Sequence, residues 1–241
     1  MRNLLYLFSF IALFLGTEFA SAQRITVKGN GNIVNKTVQI SDYKAINALG
    51  SANYVYEQKA GAPYLRIETD ENILPLLKTE VKNNALTVCF KENGSYSPTK
   101  LIVYTNSPSL NWIKISGSGN IQMKGNINID DFKVTIAGSG NVSADHLYSK
   151  SVLAKVAGSG NLKLEGKVEN LDAIVAGSGG INTTSLQVAD GKGRVAGSGN
   201  LFISANKTLD LTVAGSGNIR YKGLATVNTH VSGSGRITKV N

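Results

Sequence analysis

Ile115-Ser116-Gly117-Ser118-Gly119-Asn120-Ile121 is the stretch that much of the chain goes on to repeat. Its central phrase returns as Gly138-Ser139-Gly140-Asn141, Gly158-Ser159-Gly160-Asn161, Gly177-Ser178-Gly179-Gly180, Gly197-Ser198-Gly199-Asn200, Gly215-Ser216-Gly217-Asn218 and Gly233-Ser234-Gly235-Arg236. From one copy to the next, the first glycine advances by a nearly constant step. A period near twenty, kept through small insertions and deletions, marks a solenoid in which each repeat stacks on the last.

The flanks say what each repeat is made of. Before the phrase stands a β-branched residue and then a small one, as in Ile115-Ser116, Ile136-Ala137, Val156-Ala157, Val175-Ala176, Val195-Ala196, Val213-Ala214 and Val231-Ser232. After it comes an aliphatic residue: Ile121, Val142, Leu162, Ile181, Leu201, Ile219 and Ile237. Such alternation belongs to short strands and not to helix turns. A repeat of this length holds two or three strands with tight corners, and successive coils pair in parallel at roughly 4.8 Å. The fold class is therefore all-β, a parallel β-helix with coils of roughly 18–21 residues. Helical solenoids need longer repeats, and a leucine-rich repeat would show its regular leucines.

At the corner, glycine reaches positive φ without a Cβ penalty, so two glycines per coil make the turn repeatable. Ser118, Ser139, Ser159, Ser178, Ser198, Ser216 and Ser234 are expected to stack in one column, and Asn120, Asn141, Asn161, Asn200 and Asn218 in a second. Amides stacked in this way hydrogen-bond from coil to coil. The columns read first as a structural corner ladder; a ligand-binding strip is the sharper alternative.

At the other end of the chain, Arg2, an apolar run over residues 4–15 and the small-x-small site Ala20-Ser21-Ala22 read as an export signal covering residues 1–22. The run is too short for a lasting membrane span. Cleavage would leave a mature chain beginning at Gln23, of a length that suits one continuous domain. Within it, residues 23–116 form irregular coils or a cap, and residues 117–241 the regular coils.

The chain carries 25 basic and 16 acidic groups, a net charge of +9. Residues 23–116 hold 11 and 7 of them, residues 117–241 hold 13 and 8, so the excess is spread and not gathered on one stripe with aromatics, as nucleic acid would require. Anionic envelope glycans or lipid headgroups are the more natural attraction. Cys89 is the single cysteine and reads as a buried strand position within Leu86-Thr87-Val88-Cys89-Phe90. His146 and His230 lie in different coils without ligand spacing, so neither a metal nor a Cys/His nucleophile is indicated. No glycine phrase is followed by the Gly-Lys-Ser/Thr ending of a phosphate loop, and no cofactor is expected.

Ahead of the regular coils, Gly29-Asn30-Gly31-Asn32-Ile33 and Gly50-Ser51-Ala52-Asn53-Tyr54 echo the phrase at the same period. The long gap from Gly50 to Gly117 leaves two readings: about three wide coils, or an antiparallel cap that covers an exposed strand edge. In that stretch residues 80–82, a turn at Asn83-Asn84 and residues 85–90 resemble a hairpin. Strands are expected at residues 64–68 and 101–105, with one helical turn near Pro75.

Several of these segments together resemble the putative auto-transporter adhesin, head GIN domain family, common in the Bacteroidetes. They are Ile40-Ser41-Asp42-Tyr43, Gly50-Ser51-Ala52-Asn53-Tyr54-Val55-Tyr56-Glu57-Gln58, Asp70-Glu71-Asn72-Ile73-Leu74-Pro75, Glu80-Val81-Lys82, residues 108–116 and the train of glycine phrases. The resemblance runs from about Ile40 to Ile237 and implies a right-handed β-helix and an exported, cell-envelope or surface location.

Two functions remain open on the sequence. One is a non-catalytic envelope protein binding an envelope or host glycan or a surface protein, alone or as an oligomer. The other is a polysaccharide lyase or hydrolase, which needs grouped carboxylates. Asp131 and Asp190 stand seven residues before a phrase, and Asp172 and Asp210 five before, so each pair is expected to form a loose column.

Overall fold

The computed structural model describes residues 25–240; the export signal falls outside the described residues. The solenoid makes about six turns. Each coil has three sides. The first leads into the glycine phrase, as in Trp112–Gly117; the second leaves it, as in Asn120–Lys124; the third opens Ile127–Gly138 and continues into the next first side.

Alternation decides what points inward. Ile115, Ile136, Val156, Val175, Val195 and Val213 are all buried on the first side, and Ile121, Val142, Leu162, Ile181, Leu201 and Ile219 on the second. Ile127, Leu147, Val168 and Leu186 close the third, and the whole set forms one continuous core. Burying each such side chain stabilises by about 1.5–3 kcal/mol. Because each layer presents the same shape to the next, coils pair in parallel with matched register: Gly117 faces Gly138, which faces Gly158, then Gly177, Gly197 and Gly215.

The uneven spacing is absorbed away from the corners. Between Ala144 and Leu147 the register shifts by one residue, so Asp145 and His146 form an exposed bulge. In the later, shorter coils, Ala205-Asn206-Lys207 takes a compact path beside Val188 and Ala189, with Asn206 and Lys207 amides donating to their carbonyls at 3.0 and 2.9 Å. A bulge moves the extra residue outward, and beside it the inward column is broken once: Leu147 faces Gly166, and the aliphatic series resumes at Leu186.

The long gap resolves into a detour. Ala45–Gly50 and Asn53–Gln58 form a coil that pairs directly with Trp112–Gly117 and Asn120–Lys124, so Gly50 faces Gly117. The residues between them run to the far side of this coil. There Ala85–Phe90 adds in parallel to Ala45–Gly50, and Leu101–Ser107 adds in parallel to Asn53–Gln58. Beyond them the pairing turns antiparallel. Leu77–Lys82 closes on Ala85–Phe90, Tyr64–Asp70 on Leu101–Ser107, and Ile33–Gln39 on Tyr64–Asp70. The gap is thus one parallel coil plus an antiparallel cap, and the spatial order of the coils departs from the chain order.

The hairpin at Asn83-Asn84 takes positive φ at both residues, 51° and 60°, as a tight two-residue turn requires. The helical turn is the 3-10 segment Leu74–Leu76, with Pro75 inside it. Two expectations are corrected. Gly29-Asn30-Gly31-Asn32 makes no coil: it joins Ile25–Lys28 to the antiparallel Ile33–Gln39, and a Cβ on Gly29 would collide with the Asp70 carboxylate. Cys89 is half-buried and not in the core, because Leu86 and Val88 take the inward positions of its strand.

Candidate binding face and its supporting corners

The corner that repeats along the rod works through backbone groups. From Ser118-Gly119 to Ser216-Gly217 the serine amide and the second glycine amide both donate to the first glycine carbonyl of the preceding coil; for Ser159 and Gly160, donating to Gly138, both distances are 3.0 Å. The two glycines serve different needs. Gly158 has φ +125°, a conformation that side-chain-bearing residues rarely adopt. Gly160 has no positive φ; a Cβ there would overlap the Gly140 carbonyl oxygen and stand 2.8 Å from the Ile136 Cγ2. Close approach, and not turn conformation, requires the second glycine.

Beside the corner, the Asn53, Asn120, Asn141 and Asn161 side chains are linked in series. Each Nδ2 donates to the previous Oδ1, at 2.8, 2.7 and 3.1 Å. Gly180 interrupts the series, and it resumes between Asn218 and Asn200 at 3.4 Å. The serines themselves, such as Ser139, Ser159 and Ser178, are exposed at the rim.

Asp172, Asp190 and Asp210 line one depression together with Lys192 and Thr208, so cationic and hydroxyl groups are interleaved with the carboxylates. Asp172 and Asp210 share a column, but Lys192 stands between them, and Asp172 accepts an ion pair from Arg194 at 3.3 Å. Asp190 accepts a hydrogen bond from the Thr208 hydroxyl at 2.6 Å, and Asp130 pairs with Lys150 at 3.0 Å. Asp131 and Asp190 share a column three coils apart. His146 and His230 are both exposed in separate coils, and among the described residues no group of three metal-ligating side chains occurs.

Around the cap the chemistry changes to buried side chains. Tyr54 and Tyr56 occupy the columns of Ile121 and Met123, filling a wider layer, and their hydroxyls need partners inside it. The Tyr56 hydroxyl donates to the Ser107 carbonyl at 3.2 Å, and burial pushes its pKa up to about 12. Tyr43 shares a 2.8 Å hydrogen bond with the Thr105 hydroxyl, and burial raises it further. Asp70, fully buried, accepts from the Gly31 and Thr99 amides at 2.8 Å each. Burial would raise its carboxyl, but the amides of Gly31, Thr99 and Lys100 and the Thr99 side chain outweigh it and hold it below the usual carboxylate range. The Gln58 amide bridges Pro108 and Asn128, donating to both carbonyls and accepting from the Asn128 amide at 2.6 Å. Neither Asp70 nor Gln58 stands out in the sequence, since their partners are far off along the chain.

What the molecule presents outward is a set of straight, regularly spaced columns on a stiff three-sided rod. Residues 42–225 match the model of the putative auto-transporter adhesin, head GIN domain. The chain belongs to that family. Solved structures of similar shape include a putative adhesin from Parabacteroides merdae, at 30% identity and TM-score 0.76, covering 90% of this chain and 99% of that one. A putative adhesin from Bacteroides fragilis matches at 25% identity and TM-score 0.85, covering 89% and 100%. A putative lipid binding protein from Parabacteroides distasonis matches at 29% identity and TM-score 0.80, covering 90% and 100%. No curated protein matches the chain. Among the described residues of this GIN-domain protein, no helix is long and apolar enough to cross a membrane.

Proposed function

We infer that this GIN-domain protein is a non-catalytic, exported cell-envelope protein that binds a glycan or protein partner through the outer columns of its rod. The observation that carries this reading is the matched register of the coils, which repeats outward-facing side chains at roughly 4.8 Å intervals along a rigid surface. Such a surface suits an extended, repeating partner better than a small substrate. Membership of a family named for adhesins supports the same reading, as do the relatives called putative adhesins.

Surface exposure comes first among the tests. Protease shaving of intact cells should remove the protein, and a glycan array or pull-down with the purified chain should reveal saturable binding in the micromolar range. Protection from protease together with no saturable partner would overturn the reading.

A further inference from the structure

Two outward columns on the first side meet where the cap joins the regular coils. One runs Ala85, Ala45, Trp112, Lys133 and Leu153; the next runs Thr87, Asn47, Lys114, Thr135 and Lys155. Trp112 is the only tryptophan of the chain, and it is half-buried on this outer surface. The Lys133 ammonium lies 5.5 Å from the centre of its ring. On the other flank its column neighbours are the small Ala45 and Ala85; Ala45 is buried, and so is the indole Nε1, which leaves the rest of the ring as the part at the surface. Trp112 and Lys133, with Asn111, Asp131 and Ser151, line a shallow depression of about 420 Å³.

Some outward cations of the rod are held in ion pairs: Lys150 by Asp130, Lys163 by Glu165, Arg194 by Asp172. Among the described residues, none of the ion pairs takes Lys114, Lys133 or Lys155. These three lysines stand on three consecutive coils, with Lys133 one column over from Lys114 and Lys155, so their backbone positions are roughly 8–10 Å apart, close to the screening length of about 8 Å in physiological salt. They act together on whatever anion approaches. An anion held by Lys133 lies against the indole, which offers an apolar face to ring C–H groups.

Asp131 narrows the ligand class. A carboxylate in the wall of the depression repels a dense layer of phosphates but accepts hydrogen bonds from hydroxyl groups. A chain of sugar rings bearing spaced carboxylates satisfies all three features at once: rings on the indole, hydroxyls on Asp131, carboxylates on the lysines. We propose that the face carrying Trp112, Lys114, Lys133 and Lys155 is a binding subsite for an acidic polysaccharide, running along the columns from coil to coil. This rests on the partner-binding reading above and names its site and ligand class.

The test uses the whole chain and immobilised polygalacturonate, with neutral dextran as control. The protein is expected to bind the uronic acid polymer and not dextran, and to lose affinity as salt rises. Trp112→Ala should weaken binding by about tenfold or more. The double variant Lys133→Gln with Lys155→Gln, at two exposed positions, should weaken it as strongly and flatten the salt dependence. Phe202→Ala, on the second side, should leave binding unchanged. Should Trp112→Ala lose its fold, the lysine double variant decides. Wild-type affinity in that variant overturns the subsite while leaving partner binding elsewhere on the rod intact. Equal binding to phosphatidylglycerol vesicles, competing with the polymer, also overturns it in favour of a lipid surface. A chain that binds neither the polymer nor any arrayed partner removes both this inference and the broader reading.

Discussion

In the coils beyond residue 112, polar groups at each corner are satisfied by the same groups one coil away, whereas residues 25–111 depend on individual side chains for that work. The repeating half needs no unusual residue except glycine, because a backbone carbonyl such as that of Gly138 meets the amides of Ser159 and Gly160 by stacking alone. The cap cannot stack on anything beyond it. Its strands turn antiparallel, and its buried ends are closed by the Asp70 carboxylate and the hydroxyls of Tyr43 and Tyr56. Periodicity makes a structure tolerant of residue type everywhere but the closest contacts. Closure concentrates the demand on a few named groups.

Substitutions can separate these two modes of stabilisation. The largest effect is expected for Gly160→Val, where a side chain meets the Gly140 carbonyl and the Ile136 methyl with nowhere to go. A loss of about 4 kcal/mol or more is expected in urea unfolding. A wild-type midpoint would show that corners yield, and that the repeating half is less rigid than its register implies.

In the cap, Asp70→Asn should also lower the melting temperature clearly, and its signature is pH dependence. The folded carboxyl is held below its usual range, so its contribution is fully present above the unfolded pKa and is lost as pH falls through the depressed folded value. The difference in melting temperature between wild type and Asp70→Asn should therefore shrink on acidification. A difference that stays constant with pH would mean that the carboxylate's charge plays no part in closure.

Asn141→Ala removes one link of the side-chain series, whose Nδ2 donates to Asn120 at 2.7 Å and whose Oδ1 accepts from Asn161. A cost of about 1 kcal/mol is expected, since the groups are exposed and water replaces part of the loss. A cost as large as that of Gly160→Val would move the burden of corner stability from backbone to amide ladder. Smallest of all, Lys207→Ala on the exposed compact turn should change stability by less than about 0.5 kcal/mol.

Much of the regular half is legible from residue order because its contacts recur at the period of the chain: whatever lies one repeat away is the neighbour. The inward pairs Ile136 with Val156 and Val142 with Leu162 follow from counting alone. Even the subsite has a faint trace of this kind, for Lys114 and Lys155 both stand three residues before a phrase, and Trp112 and Lys133 both stand five before. The trace has no meaning until the register shows that these offsets share a face with unpaired charge.

By itself the sequence determined the β-strand character, the coil length and the glycine corners, because each follows from local alternation and from a period that reports its own neighbour. Only the tertiary structure decided where residues 59–111 go, since a detour that pairs Ala85–Phe90 behind Ala45–Gly50 breaks the link between chain distance and spatial distance. It likewise decided that Gly29-Asn30-Gly31-Asn32, though written like a corner, serves Asp70 instead of a coil. A corner needs a neighbour of the same shape above or below it, and these residues lie beside the antiparallel cap, where no such neighbour exists.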